Sequence, residues 1–545
     1  MKIKSILMLT GTIVCAVIVF TACGKKDQAV SSGTPQAADF PGGWKPTADY
    51  SKKLDLEFSI VDGIEGYDVN NGDDLATWYS SHFNYNLSMS VLSFDNWAER
   101  VRLWVSSGEM PDFTVIDYNH TDISGWVEQG LLYKFPDGWK QRWPNAAETF
   151  ELTGLGPKTE EVFGGAYFLP RVRYIHNLPG DPEQSRKREV VPGNSAFLYN
   201  VDWMEAVGMP VKNMYTVEEI IEYGRRVKTQ DPGKIGSKLQ PLTSRPGWAI
   251  DLFVGSNNAH FITFYKSKDG SYKWGPADEA TLAGLKQWFT AWNEGVLNRE
   301  FYTLRAGDDD TQFWTAGIAG GCFENATINW IWKAKKYWAD AKLPGSIGWA
   351  TVMGPDNLYH HETLINYWSV YAFPPDISKE KFERFMDMLD FTATLEGSSQ
   401  LCFGFEGIDW KRDESGNMAS LATSDGDTSD SKYRCWWMLP SLILPDDLSF
   451  SNPSVPRDIR DLSWQMHKDS LQYSTNDTLT PVNWDLYLYD SPARRRVSFM
   501  YDQEYANIVT RSKSLADVEK NWKDWIQEKK AVVQPVLDEL NSKLK

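Results

Sequence analysis

The chain has 545 residues, a formal net charge of −17 and an aromatic share of 14%, made up of 25 Trp, 24 Tyr and 26 Phe. That length exceeds what one hydrophobic core organises and suits two or three domains. The acidic balance excludes a nucleic-acid surface, which needs clustered Lys and Arg, and disfavours attachment to anionic lipid by charge alone.

Lys2 and Lys4 lead an apolar run from Ile6 to Phe20 that ends in Thr21, Ala22 and Cys23. A charged lead, a short apolar core and small residues make a secretory signal peptide over residues 1–22; a spanning helix would need about 20 apolar residues. The "TAC" with Gly24 behind it resembles a bacterial lipobox, in which Cys23 is lipidated and becomes the first mature residue; Phe20 departs from the usual leucine. The other reading is an ordinary signal peptide with an accidental cysteine. Residues 24–43 are polar, rich in Ser, Gly and Ala and without hydrophobic period, which predicts a flexible linker. Removing the first 22 residues leaves 523.

Leu54, Leu56, Phe58 and Ile60 alternate with polar neighbours as a strand does, followed by the Gly/Asn/Asp-rich "DGIEGYDVNNGDD". Trp97, Val101, Trp104 and Val105 share a helical face, with Asp95 or Asn96 to cap its start and Gly108 its end, and "FTVID" reads as a buried strand. Strand, helix, strand at this spacing is a βαβ unit and predicts an α/β fold. Thr216 and Glu219 form a capping box before the stripe Val217, Ile220, Ile221 and Val227, and Asp231-Pro232 stops that helix. Leu282, Leu285, Phe289, Trp292 and Val296 mark a second helix, and Phe382, Phe385, Met386 and Leu389 a third. Leu515, Val518, Trp522 and Trp525 mark a fourth, which Pro535 kinks or splits. "SIGWATVMG" and "NYWSVYAF" are later strands, and no repeat recurs at solenoid spacing. The tryptophans on helix stripes, Trp97, Trp104, Trp292, Trp522 and Trp525, are assigned to the core.

Cys322, Cys402 and Cys435 are an odd set without CxxC spacing and read as small buried hydrophobes. The seven histidines include one adjacent pair, His360 and His361, and no HExxH, so no zinc site is expected. No GxxxxGK[ST] phosphate loop is present, so the chain is not itself an ATP-driven motor.

Several segments, in order, resemble the extracellular solute-binding proteins of bacterial ABC importers, the large sugar-binding lipoprotein branch found mainly in Gram-positive bacteria. They are "VRLWVSSGEMPDFTVID", "WVEQGLLYKFPDGWKQRWPN", "VFGGAYFLPR", "SAFLYNVDWMEAVGMP", "TVEEIIEYGRRVKTQDP", "WFTAWNEGVLNREF", "FWTAGIAGG" and "TATLEGSSQLCFGFEGIDW". The resemblance implies two α/β lobes joined by crossover strands, with hinge closure on a ligand held between them. One lobe would take residues 44–168 plus 365–412, the other 169–364 plus 413–545. It further implies a monomer without catalysis or cofactor, held by lipid on the outer face of the cell membrane and passing an oligosaccharide to a membrane permease. Two departures stand out. In alginate-binding relatives the loop after this helix is acid-rich and holds calcium, whereas "QDPGKIGSKLQP" has Asp231 alone, too few oxygens for that ion. Asn200 and Val201 stand where the family carries an arginine, so no ligand role is carried over there.

A cleft that closes on sugar needs flat aromatic platforms and a few polar groups that bind hydroxyls in pairs. Candidates placed after strands or in loops are Asp117, Tyr118, Trp248 in "SRPGWAI", Glu324 and Trp330 after "GGCF", Trp368, Trp410, and Trp436 with Trp437 in "CWWMLP". Core packing is the competing fate of each tryptophan, and a turn or helix cap that of each aspartate. The acidic total favours a neutral oligosaccharide over a uronic-acid polymer, unless local arginines such as Arg171 and Arg173 override it. The alternatives from other classes are a surface-anchored glycoside hydrolase or lyase, for which two carboxylates about 5 to 10 Å apart are needed, and a binder of a non-sugar solute.

Overall fold

The computed structural model describes residues 40–544 apart from 95, 118–121, 173–194, 306, 327, 362–366, 415–417, 422–432, 434–437, 444–454 and 480–481. The leader, Cys23 and nearly all of the linker lie outside these. Among the described residues no helix is long and apolar enough to cross a membrane.

The alternation at Leu54 becomes β1 (Leu54–Val61), whose buried residues point into the first core. It pairs in parallel with β2 (Tyr85–Leu92), Leu54 opposite Tyr85 through to Val61 opposite Leu92. Between them α1 (Asp74–His82) starts where the Asp73 carboxylate accepts the Ala76 N–H at 2.9 Å. Sequence pattern alone passes over α1 and β2, because a turn-like composition precedes them and "YNLSMSVL" carries small polar residues at its solvent positions. α2 (Trp97–Ser107) buries Trp97, Val101 and Val105 and ends at Gly108, whose φ of 75° a glycine adopts without strain. Asn96 holds the N-cap position without a side-chain bond to the helix; its Oδ1 accepts the Ser93 N–H at 3.3 Å instead.

β3 (Thr114–Asp117) follows, and a parallel bridge from Phe58 to Phe113 sets it beside β1. After β4 (Phe168–Val172) the chain crosses to β5 (Ser195–Asn200) and β6 (Met214–Thr216). A hairpin of β7 (Phe264–Lys266) and β8 (Tyr272–Trp274) precedes β9 (Gly321–Asn325) and β10 (Ile347–Met353). The chain then returns in β11 (Tyr367–Ala372), which lies antiparallel between β3 and β4, and makes a short hairpin of β12 (Trp410–Arg412) and β13 (Met418–Ser420). Two open sheets result: β2-β1-β3-β11-β4 in the first half and β6-β10-β5-β9 in the second.

The apolar side chains divide accordingly. One cluster gathers residues from Phe40 to Val172 and from Tyr367 to Ile443, with Leu488; two others gather residues from Ala196 to Val352 and the other core residues from Val455 onward. Met418, Tyr433 and Met438 pack in the first cluster, whereas the sequence reading groups 413–545 with the other lobe. The cause is a non-local pairing: Val172 bridges Ile443 in parallel and donates its N–H to the Leu442 carbonyl at 2.7 Å.

The helices follow their stripes. Val217–Gln230 carries the full Thr216–Glu219 capping box, and Lys379–Thr392 buries Phe382, Phe385, Met386 and Leu389. Leu515–Lys543 runs through Pro535 as one helix instead of splitting, and buries Trp522 and Trp525. Trp97 is buried as well, while Trp104 and Trp292 are partly buried against their cores. Cys322 and Cys402 are buried; Cys435 lies outside the described residues.

Two ties join stretches far apart in the chain. Asp387 on the helix Lys379–Thr392 accepts from Thr47 N and Oγ1, Ala48 N, Tyr50 OH and Trp143 Nε1 at 2.6–3.1 Å, and Asp390 accepts from Trp44 Nε1 at 2.8 Å. Residues 44–50 are thereby fastened to the first half. The second tie is the stretch Asn483–Val497, which touches both halves. Leu488 sits in the first core and Leu486 in the second, Ser124 Oγ donates to the Leu488 carbonyl at 2.9 Å, and Trp484 stacks on Tyr367 with centroids 6.4 Å apart.

Candidate functional site

The crossovers decide where the halves face each other. β4 ends at Val172 and β5 begins at Ser195; β10 ends at Met353 and β11 begins at Tyr367; Ile443 lies in the first core and Val455 in the third cluster. The ends so joined are the carboxyl ends of β3, β4 and β10 and, by antiparallel pairing with β5, of β9. Loops at strand carboxyl ends are where open α/β sheets bind ligands.

On the first half, Asp117 closes β3 opposite Ser369 of β11, and Ser369 in turn lies opposite Arg171 of β4, so the three share one row of the sheet. Arg171 is fully buried, with its guanidinium carbon 5.7 Å from the Tyr371 ring centroid. It therefore offers no surface cation; Arg173 lies outside the described residues. Trp368 is partly buried, its ring tilted on Trp97 at 5.1 Å and met at its edge by Phe94 at 6.2 Å. Phe94 is 57% exposed, and Ile64 and Val91 are exposed beside the carboxyl ends of β1 and β2. Phe94 and Trp368 make an apolar lip, with Ile64 and Val91 exposed at the ends of the neighbouring strands. The sequence reading missed Phe94; its signal is a large ring in the polar loop "SFDN" directly after a strand.

On the second half, Trp248 lies on a short helix, Pro246–Ile250, not in a loop: the Pro-Gly pair is a helix start, with Pro246 at its first position. The Arg245 guanidinium carbon stands 5.4 Å from the Trp248 ring centroid, and Phe323 meets that indole edge-on at 6.1 Å. Glu324 lies within β9 instead of after it, 3% exposed, and one carboxylate oxygen accepts the Asn325 N–H at 2.9 Å. Trp330 is on the helix Ile328–Asp340, edge-on to Trp314 at 5.5 Å and with Lys333 Nζ 5.7 Å from its centroid. Asp251, which nothing in the sequence marks, follows Trp248 by three residues; burial pushes its carboxyl up to about 7 against the opposing pull of Arg245.

Electrostatics reaches across the gap. Asp62, at the carboxyl end of β1 with φ at 59°, has its carboxyl raised by burial and drawn back by Lys333 of the other half. The first-half lip and the Trp330 helix thus border one space.

Asp117 and Trp368 lie at neighbouring register positions of the first sheet, and Trp248 packs on Phe323, the β9 residue before Glu324, whose side chain alternates to the other face of the strand. Trp410 does not join them: it is 3% exposed, its N–H donates to the Gly404 carbonyl at 3.0 Å, and it packs in the first core. Tyr118, Trp436 and Trp437 lie outside the described residues. The Asp231 carboxylate accepts the Ile235 and Gly236 N–H groups, each at 2.8 Å, so both oxygens close the loop on its own backbone. That donor set does not fit calcium.

No family model and no curated protein matches the chain. Solved structures do match in fold. A Streptococcus pneumoniae ABC-transporter substrate-binding protein, FusA, in complex with kestose superposes with a TM-score of 0.64 at 14% identity, covering 89% of this chain and 97% of that one. An HMO-binding solute-binding protein from Bifidobacterium longum infantis gives 0.57 at 14% identity over 90% and 96%. The N-glycan transport solute-binding protein NgtS of Streptococcus pneumoniae, with Man5GlcNAc, gives 0.55 at 13% identity over 90% and 97%. The chain has the two-lobed α/β fold of these solute-binding proteins.

Proposed function

We propose that the chain is the substrate-binding component of an ABC importer, which captures a neutral oligosaccharide between its lobes and hands it unchanged to a membrane permease. One lobe is built on the β2-β1-β3-β11-β4 sheet and the other on β6-β10-β5-β9. The observation that carries the reading is that each half bears aromatic rings beside its crossovers, Phe94 and Trp368 on one and Trp248 and Trp330 on the other, with Asp62 of the first half interacting with Lys333 of the second. Stacking on sugar C–H faces contributes about 1 kcal/mol per ring, and several rings with hydrogen bonds reach about −8 kcal/mol, a micromolar affinity. All three neighbours named above are binding proteins of sugar transport by their descriptions. The protein acts as a monomer, tethered through lipid on Cys23 at the outer face of the cell membrane.

The second reading is a glycoside hydrolase. It has one observation in its favour, the raised carboxyl of Asp251, since such enzymes use an acid held protonated near neutrality. Incubation of the full chain with a glycan panel, followed by calorimetry and mass analysis of the recovered sugar, separates the two. Saturable binding with intact glycan supports capture; new reducing ends support hydrolysis, and no binding by any member refutes capture. Globomycin treatment of expressing cells tests the tether: a shift to the unprocessed form is expected if Cys23 carries lipid, and unchanged processing refutes it.

A further inference from the structure

We propose that Arg245, Trp248 and Asp251 form a subsite that grips one neutral sugar unit through two adjacent hydroxyls and turns away a uronic acid. This rests on the capture reading and names the part of the cleft that sets ligand class. Trp248 and Asp251 are three apart on a backbone that stays helical from Pro246 through Gly255, and Arg245, the extended residue that caps its start, stands by both: 5.4 Å from the Trp248 ring centroid and near enough to Asp251 to draw on its charge. Two of them keep unused polar capacity. Among the described residues the buried Trp248 Nε1 and Arg245 Nε have no hydrogen-bond partner, and Asp251 meets Arg245 through charge. The Arg245 side chain has one ionic contact, 4.0 Å from Nε to Asp309. Buried donors are rarely left unpaired, so an indole N–H and a guanidinium N–H without partners beside a carboxylate are expected where a ligand completes them.

The ligand class follows from the charges. A carboxylate acceptor beside guanidinium and indole donors suits a group that both donates and accepts, which a hydroxyl does. A uronic carboxylate entering here would meet Asp251, with the nearly fully buried Asp309 behind Arg245. Only Arg245 would oppose them, and it already leans toward Asp309. An ammonium group would face Arg245 itself. The indole face left by the edge-on Phe323 suits the flat C–H side of a pyranose or furanose ring.

Calorimetry on the full chain with kestose, maltotriose, Man5GlcNAc, trigalacturonate and an alginate trisaccharide tests this. The expected result is binding of at least one neutral member and of neither uronate. Asp251→Asn and Arg245→Gln should each weaken the neutral ligand tenfold or more, and Trp248→Phe, which keeps a ring and deletes the N–H, severalfold. Melting of each ligand-free variant identifies any that fails to fold, and the remaining variants then decide. If Trp368→Ala on the opposite half loses the ligand while the folded subsite variants retain wild-type affinity, the subsite is overturned and the cleft stands. Preference for a uronate overturns the subsite as well. Binding of no glycan at all removes both.

Discussion

Asp251 carries an ionisation that folding opposes. Its carboxyl has an ordinary value of 3.8, and burial pushes it to about 7 in the folded chain even though Arg245 pulls the other way. The folded state therefore holds this proton more tightly than the unfolded one. The resulting stability is fully present below about pH 4 and is lost as pH rises toward 7. The groups facing it are Arg245 on its own segment, with Asp309 behind that guanidinium, and Tyr359 on the loop after β10, where His360 and Asp356 pair at 2.9 Å. Asp251→Asn removes the titration, so its melting temperature should exceed that of the wild type at pH 8, with the gap closing as pH falls toward 4. A gap that stays constant with pH would refute the assignment. Little of this was legible in the sequence: among 73 acids nothing singles out Asp251, because its shift comes from packing. Trp248 was legible as a residue at a chain break, yet the break is a helix start, and only that geometry aligns it with Arg245 and Asp251.

The helix Lys379–Thr392 does more than fill a core. Its polar positions Arg384, Asp387 and Asp390 are buried and satisfy backbone and side-chain groups of residues 44–50, 83–84 and 143–146. Asp387→Ala would orphan the donors of Thr47, Ala48, Tyr50 and Trp143 together. Bonds to a charged acceptor are each worth about 1.5–3 kcal/mol, and several share one group, so a loss of about 3 kcal/mol or more is expected in chemical denaturation. A loss under about 1 kcal/mol would mean that water replaces the carboxylate readily. The apolar stripe of this helix reads straight from the sequence, since a 3.6-residue period is local information. Its acids look like an ordinary solvated face, and only the partners some 340 positions earlier show otherwise. For the same reason the capping box at Thr216 is visible in advance, while β2 is recognised only once it pairs with β1.

At the scale of the molecule, the two halves were legible from the order of short motifs, but not the place of Met418, Tyr433 and Met438 in the first core, which goes with Val172 meeting Ile443 far along the chain. The stretch Asn483–Val497 was not legible at all, since its residues serve two cores and follow neither period. Trp484 is its main contact with the first half: it lies over Tyr367 and so close to Gly154 that a Cβ there would fall 2.2 Å from its indole nitrogen. Trp484→Ala should lower stability by about 2 kcal/mol and raise the radius of gyration of the ligand-free protein in small-angle scattering. An unchanged radius would show that the crossovers alone set the lobe geometry. The fastening of residues 44–50 onto Asp387 and Asp390 has a mechanical corollary. Any force reaching the domains from the leading end enters the jaw built on the β2-β1-β3-β11-β4 sheet. With the chain held through Cys23 as proposed, that jaw would stay put relative to the tether, and the jaw bearing Trp248 and Trp330 would be the one to swing.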